Sequence, residues 1–360
     1  MDIKEILNEK KLIIDKIIEK YIPKKYTDDS MIFTSGTTQY KYSKEASNKA
    51  IADPIWNLLD RGGKRWRPVL FLLIAEALSK NPKDVEKLLD FVVIPEVVHN
   101  GTLMVDDIED NSDLRRGKPC IHKIFGNDIA INAGNAMYFL PLLTIIKNTK
   151  IDDKTARRIY DIYSQEMINI SFGQAYDIAW HKGIANADDI TEQEYLQMCA
   201  FKTGTLARMS AKLAAALTGA DDDTTNKIGH LAESIGIGFQ IQDDILNLTA
   251  TSGKNQFTEE YLGSDISEGK RTLMVIYAIK NTSENNKQRL LEILKMHTKD
   301  REIIKEAISI IENSKAIDYA KIRAKEIAQT SWNNVKNTIP ENTAKNKLEA
   351  FVKFLVERDY

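Results

Sequence analysis

The scarcity of residues that interrupt a helix is the feature that most constrains this chain. Its 360 residues include 17 glycines and 8 prolines, so long stretches pass without a backbone breaker. Apolar side chains recur at helical spacing through most of the chain, and no stretch alternates as a half-buried strand does. The pattern predicts an all-α fold, with an N-terminal helix and arm at 1–45 and a single large helical bundle at 46–360.

Two further organisational predictions follow from the apolar pattern. Residues 22–45 show no helical period and contain Pro, Gly, Ser and Thr, which is typical of a loop or arm. Residues 91–105, 129–146 and 206–217 are apolar nearly all round, so we expect those helices to lie inside the bundle.

Charge and cysteine usage exclude several classes of protein. The 50 Lys and Arg against 52 Asp and Glu give a net charge of −2, so no global field attracts nucleic acid and any electrostatic function is local. Cys120 and Cys199 have no CxxC spacing, which argues against a zinc site or a disulfide framework and favours a reducing compartment, the cytoplasm. The acid-containing start resembles no targeting peptide, and the longest apolar run, 69–75, is too short to cross a membrane.

The first candidate site is an acidic helix end, DDIED at 106–110. Asp106 and Asp110 are four residues apart and share a helix face, whereas Asp107 lies about a quarter-turn away. Carboxylates suit Mg²⁺, which keeps waters and substrate phosphates as its other ligands. Arg115 and Arg116 follow and could bind phosphate. Alone, the pattern is equally typical of a solvated acidic helix end.

A second acid pair, Asp243 and Asp244, recurs 137 residues downstream with Asn247 after it. Two acidic clusters facing one another across a bundle could hold several Mg²⁺ around a diphosphate. Basic residues occur in short breaks between the helices, each of them alone more typical of a solvated charge: Lys64, Arg65, Arg67, Lys202, Lys254 and Lys270.

In order and spacing, these motifs resemble those of the trans-type polyprenyl diphosphate synthases, and most closely the geranylgeranyl diphosphate synthases. The resemblance rests on six segments: GGKRWRP at 62–68, DDIEDNSDLRRGKP at 106–119, GQAYD at 173–177, KTG at 202–204, FQIQDDILN at 239–247 and EGKRT at 268–272. It implies a helical bundle of the isoprenoid synthase type with a central active-site cavity. It also implies an enzyme that transfers the prenyl group of an allylic diphosphate to isopentenyl diphosphate with release of pyrophosphate. The resemblance further implies a homodimer.

The resemblance also implies roles for individual residues. Asp106, Asp110 and Asp243 would bind three Mg²⁺, with Asp107 and Asp244 acting nearby. Lys64, Arg67, His99 and Arg116 would bind isopentenyl diphosphate. The allylic diphosphate would be held by Arg115, Lys202 and either Lys254 or Lys270, and Thr203 and Gln240 would face the carbocation.

The chemistry is compatible with these roles. Metal and Lys/Arg charge stabilise a departing pyrophosphate, and neutral oxygens stabilise a carbocation without trapping it. Pyrophosphate itself could take up the proton, so no dedicated base is required.

The chain departs from the family pattern in two places, the arm at 22–45 and the position of Asn247. Asn247 stands where many relatives have a third aspartate, and it removes one charge from the second cluster.

Gly101 and Thr102, five and four residues before Asp106, are small, so we expect the product tail to pass them. A deeper floor could be formed by Val98 or by 137–139 (Met-Tyr-Phe), which predicts a C20 product.

Other functions remain open at this point. The product could be C15 or C25, or the protein could be a terpene cyclase or a catalytically silent partner subunit. Glu96 and His99 form an ExxH pair, half of a ferritin-like di-iron motif, but the chain has no second copy.

Overall fold

The structure is a computed structural model that describes residues 3–249 and 262–357. Those residues are overwhelmingly helical, which confirms the predicted all-α fold. The helices in chain order are α1 Ile3–Tyr21, α2 Asp28–Ser35, α3 Lys44–Ser47, α4 Asp53–Leu59, α5 Trp66–Leu78, α6 Pro82–Glu86, α7 Val93–Glu109, α8 Ile121–Phe125, α9 Asn127–Phe139, α10 Leu143–Ile146, α11 Asp153–His181, α12 Glu192–Cys199, α13 Thr205–Leu217, α14 Asp222–Thr249, α15 Ser264–Ser267, α16 Leu273–Asn281, α17 Glu284–Met296, α18 Arg301–Asn313, α19 Ala316–Val335 and α20 Thr343–Glu357.

Two short strands interrupt this pattern. β1 (Leu114–Arg115) and β2 (Lys118–Pro119) pair antiparallel, with Leu114 opposite Pro119. These strands could not be predicted from the sequence pattern, because two-residue strands are too short to alternate and the hairpin depends on its turn. Arg116 and Gly117 both have positive φ, 54° and 71°, as a tight hairpin turn requires.

The predicted arm contains a helix, so the interpretation of 22–45 as wholly non-helical is wrong. Thr27 caps α2: its side chain accepts the N–H of Ser30, and the Ser30 side chain accepts the N–H of Thr27. This reciprocal capping satisfies two N–H groups that a short helix leaves unpaired. The TDDS sequence at 27–30 carried that signal without a supporting apolar period.

The described residues form two compact units. The first contains those within Met1–Ile162, Ser210–Thr225 and Glu341–Lys347. In it α7 packs against α9, and both α1 and α5 contact α7. Buried side chains of α1 and α5, including Ile14, Ile18 and Phe71, contribute to its core. The predicted boundary at residue 45 stays a prediction.

The second unit contains the described residues within Tyr163–Met209, Asn226–Pro340 and Leu348–Tyr360. Its apolar core combines residues of α12, α14 and α16 to α19. Small side chains, Ala316, Ala320 and Ala324, lie on one face of α19 and let it pack closely on α16.

The helical stretch Asn127–Ile146 is only partly buried, so the prediction that it lies wholly inside the bundle is wrong. Ile131 is 44% exposed and Phe139 is 68% exposed. Among the described residues this one stretch is long and apolar enough to span a membrane by length and composition, with a mean hydropathy of 1.6 and 44% of it buried. Core helices of soluble proteins pass the same test, so the stretch is weak evidence for a membrane protein.

Candidate active site

The first acidic cluster lies at the C-terminal end of α7, and its two adjacent aspartates differ in surroundings. Asp107 is fully buried, and its carboxylate accepts hydrogen bonds from Arg115 Nε at 2.7 Å and from Arg115 Nη2. Burial opposes the charge of Arg115, but the Asp107 carboxylate outweighs it and raises the pKa of that guanidinium. Asp106 and Asp110 are partly exposed. The two partly exposed carboxylates, Asp106 and Asp110, are therefore the pair that their four-residue spacing predicted to share a helix face.

The hairpin after α7 brings Arg116 to the loop between α4 and α5. Arg116 Nη1 donates to the Gly62 carbonyl oxygen, and Nη2 donates to Asn100 Oδ1 at 3.1 Å. Burial lowers the pKa of Arg116 to about 10, against the favourable charge of Glu96. Arg116 is thus a partly desolvated cation whose position is fixed by the loop and by α7.

The other residues predicted to bind isopentenyl diphosphate lie in the same unit. Lys64 is exposed, whereas Arg67, in the first turn of α5, is buried with its guanidinium 4.4 Å from the ring centre of Trp66. His99 on α7 is partly buried. Burial, reinforced by the charges of Arg67 and Arg116, lowers the pKa of His99 well below its usual value. His99 is therefore a neutral hydrogen-bonding group among cations.

Glu96, the acid of the ExxH pair, is held by other side chains. Its Oε1 accepts hydrogen bonds from Arg65 Nη1 and Asn100 Nδ2, both at 2.9 Å. Because the Glu96 carboxylate serves as the counter-ion of Arg65, the structure does not support a role for Glu96 as an iron ligand.

In the second unit, the second acidic cluster lies near the C-terminal end of α14. Asp244 is buried and accepts from Tyr195 Oη at 2.7 Å and from Gln240 Nε2 at 2.8 Å. Burial, together with the charge of Asp243, raises the pKa of Asp244 to about 7. Asp243 is partly exposed. Asp244 fixes the Gln240 amide, whose Oε1 accepts from Thr203 Oγ1 at 2.7 Å. The structure thus brings together Thr203 and Gln240, which the sequence predicted to act jointly.

The KTG segment lies on a π-helical turn, Ala200–Gly204, that packs closely against α11 and α14. A Cβ at Gly173 would lie 2.3 Å from the backbone nitrogen of Lys202, and one at Gly236 would lie 2.6 Å from Gly204 Cα. Glycine is required at both positions by this close approach.

Lys202 Nζ donates to Asp177 Oδ2 at 2.5 Å. Burial raises the pKa of Asp177, but the charge of Lys202 and a hydrogen bond with His181 outweigh it and hold that pKa well below the usual range. Asp177 therefore stays ionised and fixes the Lys202 ammonium group. The sequence contained the signal, because Asp177 ends the GQAYD motif, but the motif alone gave it no partner.

The segment after the second cluster is described in part. Lys254 lies outside the described residues. Lys270 pairs with Glu268, and its Nζ lies 3.8 Å from Asp265 Oδ1. Two acids of its own segment therefore hold the Lys270 ammonium group.

Asn247 connects α14 to the segment that begins α15. It is 2% exposed. Its Nδ2 donates to Ser264 Oγ at 2.8 Å, its Oδ1 accepts the N–H of Asp265 at 3.3 Å, and its carbonyl oxygen accepts the N–H of Gly263 at 2.8 Å. The amide therefore joins two chain segments in a way that needs both a donor and an acceptor.

The residues expected to set product length do not all lie where the sequence suggested. A Cβ on Gly101 would lie 2.8 Å from Met137 Cβ and 3.0 Å from the Gly134 carbonyl oxygen. The space beside Gly101 is thus filled by α9, so the expectation that Gly101 leaves room for the product is wrong. Phe139, at 68% exposed, is wrong as an internal floor as well. Thr102, partly buried and on the same face as Asp106, stays a candidate.

Within each unit, the partly exposed carboxylates have the chemistry that magnesium requires of its protein ligands. In the ranges 3–249 and 262–357, no three Asp, Glu, His or Cys side chains are grouped closely enough to hold a metal alone. Magnesium requires only one or two carboxylates beside waters and substrate phosphates. Asp106, Asp110 and Asp243 are partly exposed oxygen donors, whereas Asp107 and Asp244 are buried and accept hydrogen bonds from neighbouring side chains.

The all-α fold, the two acidic helix ends and the buried arginines are together typical of helical enzymes that act on diphosphates. A family model for polyprenyl synthetases matches residues 48–311. A short chain isoprenyl diphosphate synthase from Methanocaldococcus jannaschii is 39% identical over 266 residues, which cover 74% of this chain and 76% of the relative. The chain therefore belongs to the polyprenyl synthetase family, which confirms the resemblance predicted from the motifs.

Two other relatives cover still more of the chain. A geranylfarnesyl diphosphate synthase from Natronomonas pharaonis is 34% identical over 319 residues, with 84% of this chain and 88% of the relative covered. The crystal structure of a geranylgeranyl pyrophosphate synthetase from Pyrococcus horikoshii matches with a TM-score of 0.82 at 29% identity, covering 99% of this chain and 98% of that one. The fold is therefore shared over nearly the full length.

Proposed function

We propose that this protein elongates an allylic diphosphate with isopentenyl diphosphate to an all-trans polyprenyl diphosphate, the C20 geranylgeranyl diphosphate, and releases pyrophosphate. The observation that carries the proposal is the group of cationic side chains in the first unit, Arg67 and Arg116 beside neutral His99. A terpene cyclase ionises one diphosphate substrate and has no need of a second diphosphate site. A chain-elongating enzyme needs one.

In the first unit, the exposed Lys64 ammonium group and the Arg67 and Arg116 guanidinium groups bind the isopentenyl diphosphate. His99, kept neutral by its surroundings, donates or accepts one hydrogen bond without adding charge. Fixing this diphosphate orients the double bond that attacks the allylic carbon, which lowers the entropic part of the barrier.

In the second unit, Lys202 binds the allylic diphosphate, and Asp177 holds its ammonium group in place. The Thr203 hydroxyl and Gln240 amide oxygens lie beside the carbon that becomes cationic. They stabilise positive charge but are too weakly nucleophilic to capture it. The elongated cation then loses a proton to pyrophosphate.

Asp106, Asp110 and Asp243 are the residues that would hold magnesium, as three ions per site. When bound, Mg²⁺ neutralises charge on the departing pyrophosphate. Arg115, whose guanidinium is aligned by Asp107, adds a further cation in the first unit.

The C20 product is favoured by the likeness to a geranylgeranyl pyrophosphate synthetase over nearly the whole chain. A C25 product is the second candidate, because a relative that is 34% identical is a geranylfarnesyl diphosphate synthase. We further propose a cytoplasmic homodimer, for which the exposed apolar side chains of α9, Ile131 and Phe139, supply a contact surface.

The activity test combines the purified protein with isopentenyl diphosphate, Mg²⁺ and, separately, dimethylallyl, geranyl or farnesyl diphosphate. Dephosphorylated products are separated by chain length, with EDTA as the metal control. We expect geranylgeraniol from at least one primer and none with EDTA. A protein that yields no longer prenyl diphosphate would overturn the assignment and favour the silent partner subunit. A C25 product would overturn the C20 assignment alone.

A further inference from the structure

The N-terminal helix α1 lies outside the segment that the family model matches, yet it contacts the loop that carries Lys64 and leads into α5, where Arg67 lies. We propose that Asp15 of α1 and Glu96 of α7 are positioning residues that hold this loop in the shape that binds isopentenyl diphosphate. They act through Arg65, which has no assigned role. The inference rests on the proposed function of that site.

Arg65 is the residue through which the two acids reach the loop. It is 3% exposed, and its backbone adopts the left-handed conformation, with φ at 51°. Its Nε donates to Asp15 Oδ1 at 2.8 Å, its Nη1 donates to Glu96 Oε1 at 2.9 Å and to the Gly62 carbonyl oxygen at 3.2 Å, and its Nη2 donates to the Leu59 carbonyl oxygen at 3.1 Å. All three guanidinium nitrogens thus donate hydrogen bonds inside the protein. Two of these bonds go to backbone carbonyl oxygens and hold the loop in place.

The left-handed backbone at Arg65 is costly for a residue with a Cβ, so the surrounding contacts must maintain it. Arg65 immediately follows Lys64 and precedes α5, where Arg67 lies in the first turn. A change in φ at Arg65 would rotate Lys64 relative to Arg67. The contacts made by Asp15 and Glu96 therefore set the distance between the two cations.

The same network extends to Arg116. Glu96 Oε1 accepts from Asn100 Nδ2 at 2.9 Å, and Asn100 Oδ1 accepts from Arg116 Nη2 at 3.1 Å. The Gly62 carbonyl oxygen accepts from both Arg65 and Arg116. A continuous series of hydrogen bonds therefore runs from Asp15 on α1 to a cation that contacts substrate in the proposed function.

Gly63 of the loop is closely packed against two guanidinium groups. A Cβ at Gly63 would lie 2.9 Å from Arg65 Nη1 and 3.3 Å from Arg116 Nη2, and the φ of this glycine is 133°. Both guanidinium groups therefore pack directly against the loop backbone. Displacement of Arg65 would be transmitted to Arg116 as well as to Lys64.

Asp15→Asn tests this role at a residue whose side chain is 30% exposed and whose replacement keeps the same shape. Glu76→Gln is the matched control. Glu76 is 28% exposed and pairs with Lys10 Nζ of α1 at 2.6 Å, so the control loses an ion pair of α1 but leaves Arg65 untouched. Asp15 additionally pairs with Lys11 within α1. Steady-state kinetics are measured with isopentenyl diphosphate varied at saturating allylic diphosphate, and then the reverse.

We expect Asp15→Asn to raise the KM for isopentenyl diphosphate about tenfold, as loss of residues that orient binding groups commonly does. The KM for the allylic diphosphate and kcat should stay within about twofold. Glu76→Gln should leave all three constants within about twofold, and Asp15→Glu should recover most of the isopentenyl diphosphate affinity because it restores the charge.

Two results would overturn the inference: equal KM values for isopentenyl diphosphate in the Asp15→Asn and Glu76→Gln proteins, or a loss confined to kcat. Calorimetric titration with isopentenyl diphosphate keeps the test separate from turnover. If the unaltered protein makes no product, the proposed function fails. In that case calorimetric titration alone tests the inference. Weaker binding of isopentenyl diphosphate by the Asp15→Asn protein than by the control supports it, and equal binding contradicts it.

Discussion

At the scale of single residues, neighbouring aspartates are divided between exposed and buried positions. Asp107 is bound by Arg115, and Asp244 is bound by Tyr195 and Gln240. Each buried carboxylate orients a side chain of the proposed site, whereas Asp106 and Asp243 are partly exposed. Substitutions at buried and exposed members of a pair should therefore have different consequences: lost orientation in one case, and lost metal binding in the other.

Asn247 gives a direct test of that division, because an aspartate there would lie one helical turn after Asp243 and could be a second metal ligand. We expect Asn247→Asp to destabilise the protein by about 1–3 kcal/mol, since a carboxylate cannot donate to Ser264 and would be buried near Asp243 and Asp265. Urea unfolding measures the change. The Mg²⁺ concentration giving half-maximal activity should not fall. A protein of unchanged stability that needs less Mg²⁺ would contradict this interpretation and favour a ligand role for residue 247.

His99 predicts a specific pH dependence of stability. Its pKa is depressed in the folded protein by burial and by the arginines around it, so the unfolded chain binds more protons below the ordinary histidine pKa of about 6.5. The contribution of His99 is therefore fully present above that pH and is lost as the pH falls.

Between about pH 7.5 and about pH 5.5, this loss should reach about 1 kcal/mol. Urea unfolding gives the change in the free energy of unfolding between the two pH values, for the unaltered protein and for His99→Gln. Subtracting the two changes isolates the contribution of His99, because the titration of other groups cancels. Parallel pH dependences in the two proteins would show that His99 is protonated as readily in the fold as in the unfolded chain.

At the scale of helices, the crossing of α7 and α9 separates packing from product length. Gly101→Ala should destabilise the protein by about 1–3 kcal/mol, because the new methyl group would press on Met137 Cβ and on the backbone of Gly134. The product should stay the same length. Thr102→Phe, on the Asp106 face of α7, should shorten the product by one isoprene unit.

Thermal unfolding and chromatography of the dephosphorylated products measure the two effects separately. A shorter product from Gly101→Ala with unchanged stability would show that the tail passes Gly101 after all. An unchanged product from Thr102→Phe would place the growing chain elsewhere.

The helices themselves could be predicted from sequence because the apolar period and the glycine breaks are local signals. The breaks near 61–63 and 111–119 separate helices in the structure. The helix α2 could not be predicted from periodicity, since its stability depends on the Thr27 and Ser30 cap. Nor could the role of Gly101, because a small residue fits an open channel and a close helix crossing equally well.

At the scale of the whole molecule, the sequence predicted the family and the all-α fold, but it did not predict which charges neutralise one another. The net charge of −2 conceals pairings such as Asp15 with Arg65 and Asp177 with Lys202. These partners lie in segments 50 and 25 residues apart, so only the tertiary fold brings them together. Motif spacing identified the cations and left their counter-ions unassigned.

The oligomeric state is the remaining whole-molecule prediction. Ile131 and Phe139 are eight residues apart, so they lie on one side of α9 about 12 Å from each other, and both are substantially exposed. Covering such side chains removes apolar area from water and favours association. We expect a dimer by light scattering after size exclusion, and a monomer when Ile131→Lys and Phe139→Lys are combined.

Ile322→Lys is the matched control, because Ile322 is an exposed isoleucine on a different helix, α19, at 56% exposure. That protein should remain a dimer, which would show that the effect depends on α9 and is not a general consequence of added charge. A monomeric unaltered protein, or a double variant that still dimerises, would exclude α9 as the contact. If the dimer depends on α9, association also explains why Ile131 and Phe139 are apolar although a single copy exposes them. In the dimer, the second copy covers both side chains.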